Sequence, residues 1–331
     1  MRPSDTPSPA APRPRPRPRR AGVTLGLLTL GTLAVGACAR SSRMVDEHAG
    51  HDGARTVGVK STTTTTTTST VTTTRTTLPA DAQQARARLD ASPRHGEWAM
   101  VRVGDRDSVR AWVVYPERAT KAPVVLVVHE IFGLSTWIRA VADQLAAEGF
   151  IAIAPDLLTG KMATTNSDSM DVQAAVAQIR QLDPAEVQRR LSAVAAYGMK
   201  LPAAEPRYGI VGFCWGGSTV YAHAAAAGGA LAAGVAYYGG ADPKQIPLAN
   251  ARAAMLGLYG ENDARVNATI PAVDSVLRRG ARAFEYAVYP GAGHGFLRQQ
   301  DGMNGANLSA TQAAWPRTVG WFRQYLEARG R

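Results

Sequence analysis

The sequence predicts an α/β domain in which helices cover both faces of a mostly parallel sheet. Strand-like and helix-like segments alternate through the second half of the chain, which is the order expected of a parallel sheet. Residues 124–128 (VVLVV) form a continuous apolar run, typical of a strand buried on both faces. Residues 212–217 form a glycine-rich turn between a predicted strand and a predicted helix.

The first predicted elements follow one another from Gly96 onward. Residues 99–103 and 111–115 have extended, partly apolar patterns and predict a hairpin. Residues 136–148 have helical spacing, with Trp137 and other apolar residues on one face. Residues 150–154 predict the next buried strand.

The later elements continue this alternation to the end of the chain. Pro316 interrupts the last helical pattern, so it either kinks that helix or marks its true start. The predicted helices are 167–200 (two helices, divided at Asp183-Pro184), 215–226, 270–279 and 309–327, and the predicted strands are 208–213, 231–238, 253–259 and 283–289.

The chain has 331 residues and a net charge of +11, but the charge is unevenly placed. Residues 1–95 hold 14 Arg and Lys against 6 Asp and Glu, whereas the remaining residues hold 23 against 20. A nucleic-acid-binding domain concentrates basic charge on its folded surface. The nearly balanced domain therefore indicates no nucleic-acid partner.

The amino terminus has the pattern of an export signal over residues 1–38. A Pro/Arg-rich segment ends in Arg19-Arg20 and precedes the apolar run 21–37, which is short for a membrane span and ends in small residues. Cys38 follows these residues directly, as in the lipobox of bacterial lipoproteins. We expect an exported protein, periplasmic or at the cell surface, anchored to the membrane through a lipid on Cys38. Ordinary signal cleavage near Ala37 is the alternative.

Residues 39–95 predict a disordered linker. The run 61–77 is almost entirely threonine, and such a segment cannot bury enough apolar surface to offset the entropy lost on ordering. The folded domain is therefore expected to span residues 96–331.

Cys214 lies in the glycine-rich turn, within the sequence Gly-Phe-Cys-Trp-Gly from Gly212 to Gly216. The form G-x-C-x-G at a strand-to-helix junction is that of a nucleophile elbow with cysteine in place of serine. The following helix directs its positive end toward the sulfur and favours thiolate. The alternative is a structural cysteine in a phosphate-binding turn, but Ser218 stands where such a loop requires lysine.

Asp263 and His294 are the candidate partners of Cys214. They follow it by 49 and 80 residues, in the order nucleophile, acid, histidine, and each comes directly after a predicted strand. Glu261 is a rival for the acid. His129 and His223 fit the order less well, and His223 is expected to pack within a helix.

From about Gly96 to Glu327 the chain resembles the dienelactone hydrolases, or carboxymethylenebutenolidases, of the α/β-hydrolase superfamily. Four segments carry the resemblance, and it depends on their occurring in this order. They are His129-Glu130-Ile131-Phe132-Gly133, Gly212-Phe213-Cys214-Trp215-Gly216-Gly217, Gly260 with Asp263, and Gly293-His294-Gly295-Phe296 followed by Arg298.

The resemblance implies a role for each matched residue. Cys214, Asp263 and His294 would form a catalytic triad, and Glu130 would interact with the resting thiol and help to generate thiolate. The backbone N–H groups of Ile131 and Trp215 would form the oxyanion hole. Arg298 would bind a substrate carboxylate.

The sequence departs from the family where a second carboxylate-binding arginine belongs, because Val172 occupies that region. We therefore predict hydrolysis of a small-molecule ester or lactone without specifying a dienelactone. A thioesterase, an acyltransferase or a non-catalytic ligand-binding lipoprotein are the alternatives. The sequence contains no metal-ligand cluster or dinucleotide fingerprint, so we expect no cofactor and no metal, and we expect a monomer.

Overall fold

The computed structural model of the protein describes residues 78–162, 170–281 and 283–327. The predicted signal segment 1–38 and the linker residues 39–77 lie outside this part of the chain. Within it, no helix combines the length and the apolar character needed to cross a membrane.

A single sheet of eight strands forms the centre of the described structure, in the spatial order β1-β2-β4-β3-β5-β6-β7-β8. β1 and β2 form the predicted hairpin, β2 also pairs antiparallel with β4, and all remaining neighbours are parallel. The strands are β1 Gly96–Val103, β2 Asp107–Val114, β3 Ala122–Val128, β4 Ile151–Pro155, β5 Ala204–Phe213, β6 Leu231–Tyr237, β7 Ala254–Asn262 and β8 Ala283–Gly293.

Helices connect the strands and, as predicted, cover both faces of the sheet. The helices are α1 Ala85–Asp90, α2 Thr136–Ala147, α3 Val172–Ile179, α4 Pro184–Met199, α5 Trp215–Ala226, α6 Ala264–Asn267, α7 Ile270–Gly280 and α8 Ala306–Leu326. One buried cluster joins the sheet to α1, α2 and α8. A second joins the opposite face to α4, α5 and α7. The predicted α/β fold is therefore confirmed.

Local sequence signals set the starts of several helices. The side chain of Asp171 accepts hydrogen bonds from the first free N–H groups of α3, and Asp183 does the same for α4, whose first residue is Pro184. Such side chains satisfy donors that have no partner inside the helix, and proline at this position gives up no helical hydrogen bond.

The start of the folded region differs from the prediction. Residues 78–95 belong to the predicted disordered linker, yet they contain α1 and pack on the domain. Trp137 Nε1 donates a hydrogen bond to the carbonyl of Ala80 at 3.0 Å, and Ala80 and Ala85 are buried. Only a few small or isolated apolar residues are buried in this segment, so its sequence has no periodic apolar pattern.

The course of α8 resolves the question raised by Pro316. The helix begins at Ala306, well before the proline, and continues through it to Leu326. Trp315 and Phe322 are buried on its inner face. Packing of that face on the sheet therefore outweighs the local loss of one backbone hydrogen bond.

Candidate active site

Cys214 occupies a strained turn at the carboxyl edge of the sheet. It follows β5 directly and precedes α5, and its φ of 56° lies in the left-handed region that non-glycine residues rarely adopt. Its backbone N–H donates to the carbonyl of Tyr237 at 3.1 Å, which ties the turn to β6. The surrounding fold thus holds a strained cysteine at the strand-to-helix junction, as expected of a nucleophile elbow.

The two glycines that flank this cysteine have a steric reason. A Cβ atom on Gly212 would lie 2.2 Å from the carbonyl oxygen of Gly216, and one on Gly216 would lie 2.5 Å from the carbonyl oxygen of His129. Both contacts are with backbone, which cannot move aside as a side chain could. The G-x-C-x-G pattern is therefore required by the close approach of three backbone segments.

The sulfur of Cys214 is half-buried, and opposing groups act on it. Burial raises the pKa of the thiol, and the nearby carboxylate of Glu130 raises it further. The backbone N–H groups of Trp215 and Ile131 favour the thiolate and lower the pKa. Burial and Glu130 outweigh these donors, so the resting cysteine is held as a thiol.

Asp263 and His294 meet because of the register between β7 and β8. Asn262 pairs with Gly293 at the ends of these parallel strands, so the next residue of each strand lies beside the other. His294 Nδ1 lies 2.5 Å from Asp263 Oδ2, and the aspartate is buried. A carboxylate so placed fixes the imidazole orientation and leaves Nε2 available to accept a proton.

A cavity of about 230 Å³ opens at this edge of the sheet and brings the two parts of the site together. Its walls come from loops that follow five different strands or from the helices those loops begin. Lining residues include Ile131, Cys214, Trp215, Tyr238, Arg265 and His294. A reacting group bound here would meet both the sulfur and the imidazole. Over the described ranges, no cluster of His, Cys, Asp and Glu is suited to hold a metal.

Comparison of the chain with known proteins identifies the family to which it belongs. The profile of the dienelactone hydrolase family matches residues 109–326. A protein of Methylorubrum extorquens named "Putative carboxymethylenebutenolidase" is 34% identical over 230 residues, which cover 66% of this chain and 77% of that protein. The chain belongs to the dienelactone hydrolase family. It is therefore a hydrolase.

Further members of the dienelactone hydrolase family agree in sequence and in structure. A "Putative carboxymethylenebutenolidase" of Salmonella typhimurium is 32% identical, with 68% of this chain and 86% of that protein covered. The crystal structure of a "Putative Dienelactone Hydrolase" from Klebsiella pneumoniae superposes with a TM-score of 0.60 at 29% identity. It covers 70% of this chain and all of that one, so the match is to the folded domain.

In this dienelactone hydrolase family member, the buried Glu130 forms an ion pair with the half-buried Arg298. Arg298 Nε lies 2.8 Å from Glu130 Oε2, and the guanidinium also lies over the ring of Phe132. Burial raises the pKa of Glu130 to about 7, although the arginine favours its charged form. Arg298 is thus beside the predicted site but does not line the cavity.

The other ionisable candidates have structural partners. His129 Nδ1 donates to the carbonyl of Glu130, its Nε2 accepts from Leu157, and burial lowers its pKa to about 4. His223 packs in α5 as predicted, between Tyr208 and Gln188. Glu261, the rival acid, is exposed and accepts from the backbone of Gly291.

The sequence patterns do not predict the side chains of Tyr238 and Arg265, which are among the lining residues of the cavity. Tyr238 follows β6 with a φ of 38°, is buried, and places its ring centroid 5.1 Å from that of His294. Arg265 lies in α6, two residues after Asp263, and lines the cavity. Closeness in sequence to Asp263 is the one signal by which Arg265 could have been found, whereas Tyr238 offered only its position directly after a strand.

Val172 occupies the region in which the family pattern has a second carboxylate-binding arginine. That residue begins α3 with an exposed side chain, and Arg180 at the end of the same helix is also exposed. Neither residue lines the cavity. The departure from the family pattern is therefore present in the structure as well as in the sequence.

Proposed function

We propose that the protein cleaves an ester or lactone bond through Cys214, with His294 as the base and Asp263 as the residue that orients it. One observation carries the proposal. The strained cysteine and an imidazole already hydrogen-bonded to a buried carboxylate open into the same cavity. Nucleophile, base and orienting acid are the parts that covalent acyl transfer requires.

The reaction proceeds in two halves. His294 takes the thiol proton through Nε2, and the sulfur attacks the carbonyl carbon. The C–O bond to the leaving group then breaks, and the leaving oxygen takes this proton from His294. A thioester remains on Cys214. Water that loses a proton to His294 attacks this thioester, releases the acid and restores the thiol. In a lactone, the leaving hydroxyl stays attached to the acyl group.

The oxyanion of each tetrahedral intermediate is assigned to the backbone N–H groups of Ile131 and Trp215. These are the groups that act on the sulfur of the resting enzyme. Donors fixed by the backbone do not have to reorganise as negative charge develops on the oxygen. Both N–H groups already interact with the sulfur of Cys214, and this supports the assignment.

Glu130 is assigned to the control of the thiol. Its pKa of about 7 allows it to accept or hold a proton near neutral pH, and its charged form disfavours thiolate at Cys214. Protonation of Glu130 by solvent would remove that repulsion and ease transfer of the thiol proton to His294. Arg298 holds Glu130 in place, so it would bind a substrate carboxylate only by leaving this ion pair.

Replacing Cys214 by Ala tests the proposal in the full chain. We expect hydrolysis of p-nitrophenyl acetate to fall to the background rate while the circular dichroism spectrum and melting temperature stay near those of the parent protein. The matched control is Cys38→Ala, which removes the other cysteine of the chain and should retain full activity. Unchanged turnover in the Cys214 variant would refute the assignment.

The same thioester defines the alternative functions. Added alcohol or amine that competes with water for the acyl group would identify an acyltransferase, and preference for thioester substrates would identify a thioesterase. A folded protein that turns over none of these substrates would fit a ligand-binding lipoprotein.

Export and membrane anchoring belong to this proposal on the strength of the sequence of residues 1–38 alone. We expect the mature protein outside the cytoplasm, with lipid on Cys38, and monomeric after detergent extraction. Fractionation of cells that express Cys38→Ser tests the anchor. Release of this variant from the membrane fraction would support lipidation, whereas an unchanged distribution would contradict it.

A further inference from the structure

The cavity has a positive wall that the hydrolytic steps do not use. Cys214 and His294 lie at its reacting end, and Val266 and Trp215 contribute apolar surface. Arg265 is the other basic residue of the lining, and no carboxylate lies among the lining residues that the structure describes. A bound molecule would therefore meet a guanidinium as well as the sulfur.

The backbone that carries Arg265 is held at both ends of α6. Asp263 accepts a hydrogen bond from the N–H of Val266 at 3.5 Å, and Val266 itself is buried. Asn267 Nδ2 donates to the carbonyls of Gly260 and Glu261 at 2.9 and 3.1 Å. The side chain of Arg265 is exposed and extends from this fixed backbone.

Arg265 has no fixed partner within the described residues. Arg298, by contrast, is engaged by Glu130 and does not line the cavity. The charge of Arg265 favours thiolate at Cys214, but it is the weakest of the influences on that sulfur. Arg265 therefore lies near the sulfur of Cys214, but other groups have a larger effect on the pKa of that thiol.

We propose that Arg265 binds an acidic group, in the first instance a carboxylate, carried by the ester or lactone while Cys214 reacts with its carbonyl. A guanidinium forms paired, charge-assisted hydrogen bonds with a carboxylate, and a neutral group cannot match them. This inference rests on the proposed function. It places recognition of the anion on α6, beside the catalytic aspartate, and leaves Arg298 with Glu130.

The test compares two esters that differ only in charge, mono-p-nitrophenyl succinate and its methyl ester, with the full chain. The parent protein should favour the anionic ester, and Arg265→Gln should lower kcat/KM for that ester roughly tenfold through KM. For the methyl ester the change should stay below about twofold. Arg265→Lys should recover part of the preference, since it retains charge without the planar fork.

A second measurement uses no hydrolysis, so it separates this inference from the proposed function. In a Cys38→Ser background, Cys214 is the single thiol of the chain, and its sulfur displaces iodide from iodoacetate or from neutral iodoacetamide. Arg265→Gln should slow iodoacetate about threefold or more and leave iodoacetamide nearly unchanged. Equal slowing by both reagents would assign Arg265 to the thiolate instead and overturn the inference.

The matched control is Arg278→Gln. Arg278 is exposed on α7, pairs with Asp274 and does not line the cavity. It should leave both the ester preference and the ratio of alkylation rates unchanged. An equal loss of preference in this variant would show that net charge, and not the position of Arg265, selects the anion, and it would also overturn the inference.

Discussion

Replacing Glu130 by Gln should make the protein more stable above pH 7 and change its stability little below pH 4.5. Glu130 is 3% exposed, and burial raises its pKa from the usual 4.5 to about 7 even though Arg298 Nε lies 2.8 Å away. Gln has nearly the same shape and cannot ionise. It therefore resembles the protonated glutamic acid at every pH.

The sign follows from where the proton is held. Between pH 4.5 and about 7 the folded protein keeps the proton of Glu130 while the unfolded chain has lost it. The folded state binds more protons in this window, so stability falls as pH rises through it. The rise in pKa corresponds to roughly 3 kcal/mol, at about 1.4 kcal/mol for each tenfold change in proton affinity. Above pH 7 the free energy of unfolding of the parent protein is lower by this amount, whereas that of the Gln variant is not.

Urea unfolding at pH 4.5 and pH 8 measures the effect as the free energy of unfolding of each protein. The difference between variant and parent should be near zero at the lower pH and roughly 3 kcal/mol in favour of the variant at the higher pH. Glu285→Gln is the control, because that carboxylate is exposed and should contribute less than about 0.5 kcal/mol at either pH. Equal stability of the Glu130 variant and the parent at pH 8 would refute the reasoning.

Three further changes have defined outcomes. Asp263→Asn should lower kcat for an activated ester by about 10²- to 10⁴-fold, measured at saturating substrate, because an amide favours the tautomer whose Nε2 carries the proton; a loss below about tenfold would contradict the pairing seen here. Arg94→Ala should lower the free energy of unfolding by about 3–5 kcal/mol, since it leaves the buried carboxylate of Asp143 without its cation. A loss under about 1 kcal/mol in urea unfolding would contradict this and show that water reaches Asp143. The fragment 96–331 should melt about 6 °C or more below the fragment 78–331, in a thermal scan, because it lacks Arg94 and α1; equal melting temperatures would show that residues 78–95 add no stability.

Much of the site was open to prediction because its chemistry depends on short segments. Between the end of β5 at Phe213 and the start of α5 at Trp215, only a tight, strained turn can present the side chain of Cys214. The close approach of Gly212 to the Gly216 carbonyl leaves no room for larger residues in this turn. Asp263 and His294 each follow a strand directly. In a parallel sheet, all such residues reach the same edge.

Other features depended on contacts between segments far apart in the chain. Residues 78–95 read as linker, since the partner that orders Ala80 is Trp137, in another helix. Pro316 predicts a kink or a late start of the last helix, yet α8 begins at Ala306 and packs on the sheet on both sides of the proline. Patterns within a short stretch of sequence cannot indicate contacts with residues far away in the chain.

The amino-acid sequence alone determined the α/β class of this protein, the strained position of Cys214 and the order of its candidate partners, because periodicity and glycine placement act over a few residues. Only the tertiary structure decided which cation faces the cavity. Arg298 and Arg265 are both basic residues that follow a candidate catalytic residue closely, but Glu130, contributed by another loop, engages Arg298. Arg265 is left at the cavity wall, since electrostatic pairing is settled by distances that exist only in the folded chain.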